Sequence, residues 1–317
     1  MLSITRCQNK GRFTSKPIIQ TTFRSIDGIA VSWNKTFLAI HGTYRNADNK
    51  DLKKLEIFEL KSKKSLMIHA LTFKIRQLFF ASNEDTLYLL WKDGLYDSND
   101  KNKWRPRLRS SFSGKGRSCM DMVDHEDKIM VILDNSDLVI IDKSTGDSDT
   151  IELNYNESPT CMTKVKDRLI IGATNGVVYN VHIADLMTPT ELPKPPAFGE
   201  GASDTPEKIQ YPDAKVIKAT NKYLSVLFLN KTMMFYDISK LDEISIMQTI
   251  KSHVGAIYAI DTYPSTGDPY KFWFVTGSTD KTLRRWIVSS DKRTFSCQIN
   301  QDGIGLLWDD FEHLKSK

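Results

Sequence analysis

The stretch SHVGAIYAIDTYPSTGDPYKFWFVTGSTDKTLRRWIV, residues 252–288, decides how this chain reads. Within it, YKFWFVTGS (270–278) and TLRRWIV (282–288) are strand-length runs rich in aromatic and β-branched residues. Thr279-Asp280-Lys281 between them is a turn signal. The same texture extends outward in both directions. GIAVSW (28–33), TFLAIHG (36–42), KLEIFEL (54–60), DTLYLLW (85–91) and KIMVILD (128–134) are apolar runs that end in polar turns. DLVIID (137–142), RLIIGAT (168–174), KYLSVLFL (222–229) and TMMFYDI (232–238) continue the series. No long segment carries the 3.6-residue period of an amphipathic helix, so the chain is predicted to be all-β.

The runs come in repeating units. Each unit is an apolar strand, a short polar turn and a second strand that ends in an aromatic or apolar residue, often followed by an acid. The endings are Phe58, Tyr96, Ile141, Val181, Tyr236, Trp286 and Trp308, at spacings of 38, 45, 40, 55, 50 and 22 residues. A period near 40–45 residues is that of a four-stranded propeller blade. Six units are complete and the last is too short. Two further strand candidates lie at Leu2–Cys7 and Ser15–Phe23. The expected architecture is therefore a seven-bladed β-propeller over residues 1–317 whose closing blade is built from both chain ends, residues 1–25 completing it. A six-bladed ring is the alternative. Closure removes open sheet edges.

On these residues the chain resembles the WD40-repeat β-propeller family. The family's structural tetrad falls on His253, Thr276, Asp280 and Trp286, and DGIGLLWD (302–309) is similar to its closing strand. The resemblance implies that the Asp–His–Thr chain gives hydrogen-bond partners to a buried indole and to turn amides. It makes His253 structural, not catalytic. The other units carry Phe, Tyr, Ile or Val where the family has Trp. Arg285 stands where the family has an apolar residue, which makes it an interaction candidate.

Composition is that of an ordinary globular chain, 40% hydrophobic and 26% charged, with a mildly basic net charge of +5. The four cysteines, Cys7, Cys119, Cys161 and Cys297, are too far apart for a ligand pair and read as reduced thiols of an intracellular, cytoplasmic or nuclear protein. The first 26 residues lack acids, as a mitochondrial presequence does, but are assigned to strands instead. No run is apolar enough for a membrane-spanning helix. No metal-ligand cluster, nucleophile elbow or phosphate-binding glycine loop is present, so no enzyme activity, cofactor or small-molecule substrate is expected.

Two segments stand out as surfaces. KNKWRPRLRSSFSGKGR (101–117) holds Lys101, Lys103, Arg105, Arg107, Arg109, Lys115 and Arg117 with no acid, and interleaves Trp104. On an extended strand, Arg105, Arg107 and Arg109 are expected on one face. Such a row suits an acidic protein segment, or the phosphates of RNA or DNA. A second group, Lys50, Lys53, Lys54, Lys61, Lys63 and Lys64 with Asp51, Glu56 and Glu59, reads as a solvated face. Residues 187–213 hold six of the eleven prolines and read as a loop insertion that stretches one spacing to 55.

The expected function is a non-catalytic scaffold that holds protein or peptide partners in a multiprotein complex. A nucleic-acid-associated propeller, such as an accessory subunit in RNA processing or modification, is the alternative. A ubiquitin-ligase substrate receptor ranks lower. Such receptors carry W-D-x-R, whereas Trp286 is followed by Ile-Val-Ser and Trp308 by Asp-Asp-Phe.

Overall fold

The computed structural model describes residues 2–7, 13–72, 75–82, 84–91, 94–112, 118–195, 211–220, 222–251, 257–264, 271–278, 282–289, 294–300 and 306–309. Among these residues there is no α-helix and one 3-10 turn, Asp100–Asn102. All other regular structure is strand. β1 (Leu2–Cys7) pairs with β2 (Phe13–Thr21). Six antiparallel meanders then follow in chain order. The first is β3 (Phe23–Val31), β4 (Phe37–Arg45), β5 (Asp51–Glu59) and β6 (Lys64–Leu71). The second is β7 (Gln77–Phe80), β8 (Leu87–Trp91), β9 (Gly94–Ser98) and β10 (Arg107–Ser111). The third is β11 (Cys119–His125), β12 (Lys128–Leu133), β13 (Asp137–Asp142) and β14 (Ser148–Glu152). The fourth is β15 (Pro159–Val165), β16 (Arg168–Ala173), β17 (Val178–His182) and β18 (Asp185–Glu191). The fifth is β19 (Ala214–Ala219), β20 (Tyr223–Phe228), β21 (Thr232–Asp237) and β22 (Ser245–Lys251). The sixth has five strands: β23 (Ile257–Pro264), β24 (Lys271–Ser278), β25 (Thr282–Ser289), β26 (Thr294–Asn300) and β27 (Leu306–Asp309).

Every unit ending read from the sequence falls on the third strand of a meander: Phe58 on β5, Tyr96 on β9, Ile141 on β13, Val181 on β17, Tyr236 on β21 and Trp286 on β25. The turn signals hold too. Lys35, Ser136, Asn175, Gly176 and Lys231 all have positive φ, as tight hairpins between right-twisted strands require.

The chain divides into two compact units. One is Met1–Asp134 with Leu138–Ile151, the other Asn135–Asp137 with Glu152–Lys317. Within the first unit, successive sheets pack face to face. Leu87, Leu89 and Trp91 of β8 meet Ala39, Leu55 and Ile57 of the first sheet. On the opposite face of β8, Tyr88 and Leu90 meet Met122, Ile129 and Val131 of the third sheet. A strand buried on both faces must be apolar at every position, which is why DTLYLLW shows no alternation. In the second unit, β21 divides in the same way. Met234 and Tyr236 face the fourth sheet's Ile170 and Val178, while Met233 and Phe235 share a core with Trp286 of the sixth. Fourth strands are the solvated edges: β14 is exposed along nearly all its length.

Two expectations about connectivity differ from the structure. The chain ends do not share a ladder among the described residues: β27 pairs with β26, from Ser296↔Asp309 to Ile299↔Leu306, and β1 pairs with β2. Only five residues separate β26 from β27, a hairpin length, so the last strand adds to its sequence neighbour. The N-terminal strands are nevertheless packed, for Ile19 of β2 is buried against Phe23, Leu38, Ile40 and Phe58. The proline-rich segment also begins later than expected. Residues 187–191 belong to β18, an edge strand whose ladder breaks register between Asn180 and His182, and Pro189 is tolerated there because that edge needs no donor. Residues 196–210 of that segment lie outside the described residues.

Candidate functional site

Two of the four tetrad positions, Thr276 and Trp286, lie on β24 and β25. Trp286 pairs across the ladder with Phe274, and Thr276 lies two residues further on the same face. There the buried Trp286 Nε1 donates to Thr276 Oγ1 at 2.9 Å. Their relative exposures are 1% and 0%, so this bond satisfies a donor that water does not reach. His253 and Asp280 lie outside the described residues. Arg285 is on β25, paired with Val275 and Cys297, and its side chain is outside them as well.

The same register recurs in the other meanders with different chemistry. The equivalent pairs are Phe58 with Ile40, Tyr96 with Trp91, Ile141 with Val131, Val181 with Ile171 and Tyr236 with Val226. Each pair is apolar or aromatic in residue type, and Trp91 packs on Tyr96 with ring centroids 4.0 Å apart. Substituting the Thr–Trp bond by two apolar side chains removes donor and acceptor together, which costs little. The missing tryptophans therefore do not mark missing meanders.

The residue after the third-strand position caps the following turn in three units, twice as an acid and once as a histidine. Asp142 accepts from the amides of Ser144 and Thr145 at 2.8 and 2.9 Å and from the Ser144 hydroxyl at 2.6 Å. These donors, the Ser144 hydroxyl first, hold its carboxyl down at about 2. Asp237 accepts from the Ser239 amide, and His182 Nδ1 from the Ala184 amide.

Asp97 departs from this pattern and organises the basic stretch. Its carboxylate is 1% exposed. Arg107 forks onto it, Nε to Oδ1 at 3.2 Å and Nη2 to Oδ2 at 3.0 Å. Arg109 forms a second ion pair with Oδ2 at 2.7 Å and donates through Nη2 to the Lys143 carbonyl. The hydrogen bond from Arg107 to Asp97 raises the pKa of that guanidinium. The register shift between Leu108 and Ser110 brings both arginines onto one carboxylate.

The expected single face of three guanidinium groups is thus corrected: Arg109 is committed inward and Arg105 precedes the strand. Trp104 is corrected as well. It is buried, 4.8 Å from the Phe37 ring and 6.2 Å from the Phe80 ring, so it anchors the turn and offers no surface for stacking. It does so with φ of +58°, a left-handed conformation unfavourable for a bulky residue and offset by burial of the indole. Lys101, Lys103, Arg105 and half-exposed Arg107 form the surviving cationic surface. Lys115 and Arg117 lie outside the described residues.

The second lysine group is not uniformly solvated. Lys54 and Glu56 are buried and joined at 2.5 Å. Lys54 Nζ also donates to Thr22 Oγ1 at 2.8 Å and lies 4.4 Å from the Phe23 ring centroid. A signal was present in the sequence. Lys54 and Glu56 are in phase with Phe58, on the face opposite Leu55 and Ile57, so both faces of β5 point inward. Among the described residues there is no cluster of three or more potential metal ligands and no helix long and apolar enough to cross a membrane. Cys119 and Cys161 are buried free thiols.

No family profile matches the chain. It is similar to human mitogen-activated protein kinase-binding protein 1, 23% identical over 41% of this chain. It is also similar to mouse WD repeat-containing protein 62, 25% identical over 45% of this chain. In each case the match spans about a tenth of the relative's length. Among solved structures it resembles the computationally designed Ika8 protein, with a TM-score of 0.55 and 14% identity over 87% of this chain and 74% of that one. That likeness concerns fold alone. One of the two relatives is a WD-repeat protein by its name, and the all-β meanders of this chain are in line with that.

Proposed function

We propose that the chain is a WD40-type β-propeller that works as a non-catalytic scaffold inside the cell, holding a protein partner in a multiprotein complex. The observation that carries this reading is the run of six consecutive antiparallel meanders, one of them with the buried Trp286–Thr276 bond. Six meanders favour six blades, the alternative count. Packing of Ile19 on the first sheet supports a part for the N-terminal strands in completing the ring. One relative is by its name a kinase-binding protein and the other a WD-repeat protein, which supports a protein partner.

The contact surface we assign is Lys101, Lys103, Arg105 and Arg107, facing an acidic segment of the partner. Internal neutralisation of Arg109 by Asp97 shortens the row that tracking a nucleic-acid backbone would use. Rigid sheets under this surface keep the ordering cost of binding low. The test is affinity purification of the full chain beside a variant with these four residues changed to Ala. The expected result is a defined protein partner retained by the former and lost by the latter. Retention of RNA instead, weakening steeply with salt, replaces this reading by the nucleic-acid one. A chain that purifies alone at low salt overturns both.

A further inference from the structure

At one end of the first sheet, Thr21, Thr22, Phe23, Arg24 and Arg45 line a pocket of about 380 Å³. That exceeds by far the ~30 Å³ share of one water molecule. Two of these five residues are arginines, which carry only donors, and two are threonines, whose hydroxyls donate and accept. Thr21 is 4% exposed, and its buried Oγ1 has no hydrogen-bond partner among the described residues. A buried hydroxyl without a partner costs free energy, and a small rotation that brought it to a pocket ligand would recover that cost. Thr22 Oγ1 already accepts from Lys54 Nζ, which leaves its own proton to donate elsewhere.

The two arginines share one carboxylate. Arg24 reaches Asp51 through Nη1, at 3.1 and 2.9 Å, and Arg45 reaches it through Nε at 3.1 Å. Each fork keeps further N–H donors, and two cations on one anion leave a surplus positive charge. Lys54, beneath the Phe23 ring, is balanced by Glu56 and does not remove that surplus.

We propose that this pocket binds a phosphoryl group. Thr22, Arg24 and Arg45 all line the pocket with donors, more than a planar carboxylate uses, and a tetrahedral oxyanion with three terminal oxygens can accept from all of them. Arginine forks are the side chains best matched to that group. The carrier is a phosphorylated side chain of a protein partner or a soluble phosphate monoester. Only the first carrier rests on the scaffold reading. A nucleic-acid backbone is disfavoured, because one concave pocket takes one phosphate and not a row of them.

The test is calorimetry of the full chain with inorganic phosphate at low salt. Alongside it, fluorescence anisotropy compares a peptide carrying a central phosphoserine with its serine twin. Arg24→Gln with Arg45→Gln is expected to weaken both phosphate and phosphopeptide by about tenfold or more, as loss of charge-assisted hydrogen bonds implies. Thr21→Val weakens them less. Asp51→Asn, which removes the competing carboxylate, tightens them, a gain that a damaged fold does not produce. Melting temperatures confirm that the variants fold. A phosphopeptide that binds more tightly than inorganic phosphate, with no binding of its serine twin, assigns the carrier to a partner protein. Equal affinities assign it to a soluble monoester. Absence of binding by either probe, or binding untouched by the double arginine change, overturns the proposal. So does binding of an oligonucleotide alone that Arg105→Gln weakens equally. The partner surface at Lys101–Arg107 is tested separately, so either reading can fail without the other.

Discussion

The β23–β27 sheet and the β11–β14 sheet place the same two positions side by side in the same register and fill them in opposite ways. In one, Trp286 donates to Thr276 inside the core. In the other, Ile141 lies beside Val131 with no polar atom between them, and both are essentially buried. The backbone does not need the hydrogen bond. It needs a filled space whose polar groups are paired or absent. The acids one residue on teach a similar lesson. Asp142 caps its own turn at the surface, whereas Asp97 is buried and held by two arginines.

The largest effects come from emptying the shared position. Trp286→Ala and Ile141→Ala should each destabilise by roughly 2–5 kcal/mol, with the tryptophan at the upper end, measured by denaturant unfolding. Similar losses in both would show that packing dominates in both sheets. A much smaller loss at Ile141 would break the equivalence of the two sites.

Exchanging the chemistry comes next. Thr276→Val removes the acceptor of a buried indole, and Val131→Thr buries a hydroxyl beside apolar neighbours. Each should cost about 1–3 kcal/mol, while Thr276→Ser should cost less, because it keeps the oxygen. If Thr276→Val proves neutral, the polar pair is dispensable and the contrast dissolves. Arg109→Ala should cost about 1–3 kcal/mol through Asp97, whose carboxylate would keep only the fork from Arg107.

The smallest effect is at Asp142. Its carboxyl lies near 2 in the folded chain, against an ordinary 3.8. A depressed carboxylate contributes stability above its unfolded value and loses it as pH falls through the folded one. Stability should therefore decline between about pH 4 and pH 2, and Asp142→Asn should flatten that slope. An NMR titration that placed this carboxyl near its ordinary value would contradict the turn-capping account.

Much of the fold was legible in the sequence. Runs such as KIMVILD and KYLSVLFL are apolar between their ends, Ser225 excepted, because β12 and β20 bury side chains on both faces. The outer strands were harder to read. β14 and β18 are largely solvated, so their residues carry little pattern. The candidate surface was only half legible. The charges of Arg107 and Arg109 could be read, but their convergence on Asp97 depends on a register shift in β10 that no local signal announces. Trp104 misled for a related reason, since an indole among arginines looks like a surface feature until the turn at Asp100–Asn102 carries it into the core.

By itself the sequence determined the all-β class and the repeating unit. These follow from residue type and spacing, which local backbone geometry imposes directly, whereas the hydrogen-bonded pair at Trp286 was implied by a family resemblance. Only the tertiary structure decided where the chain ends pair, which basic residues stay free, and that Thr21, Arg24 and Arg45 meet around one pocket. Those outcomes depend on contacts between strands whose side chains carry no mark of their partners until the sheets assemble.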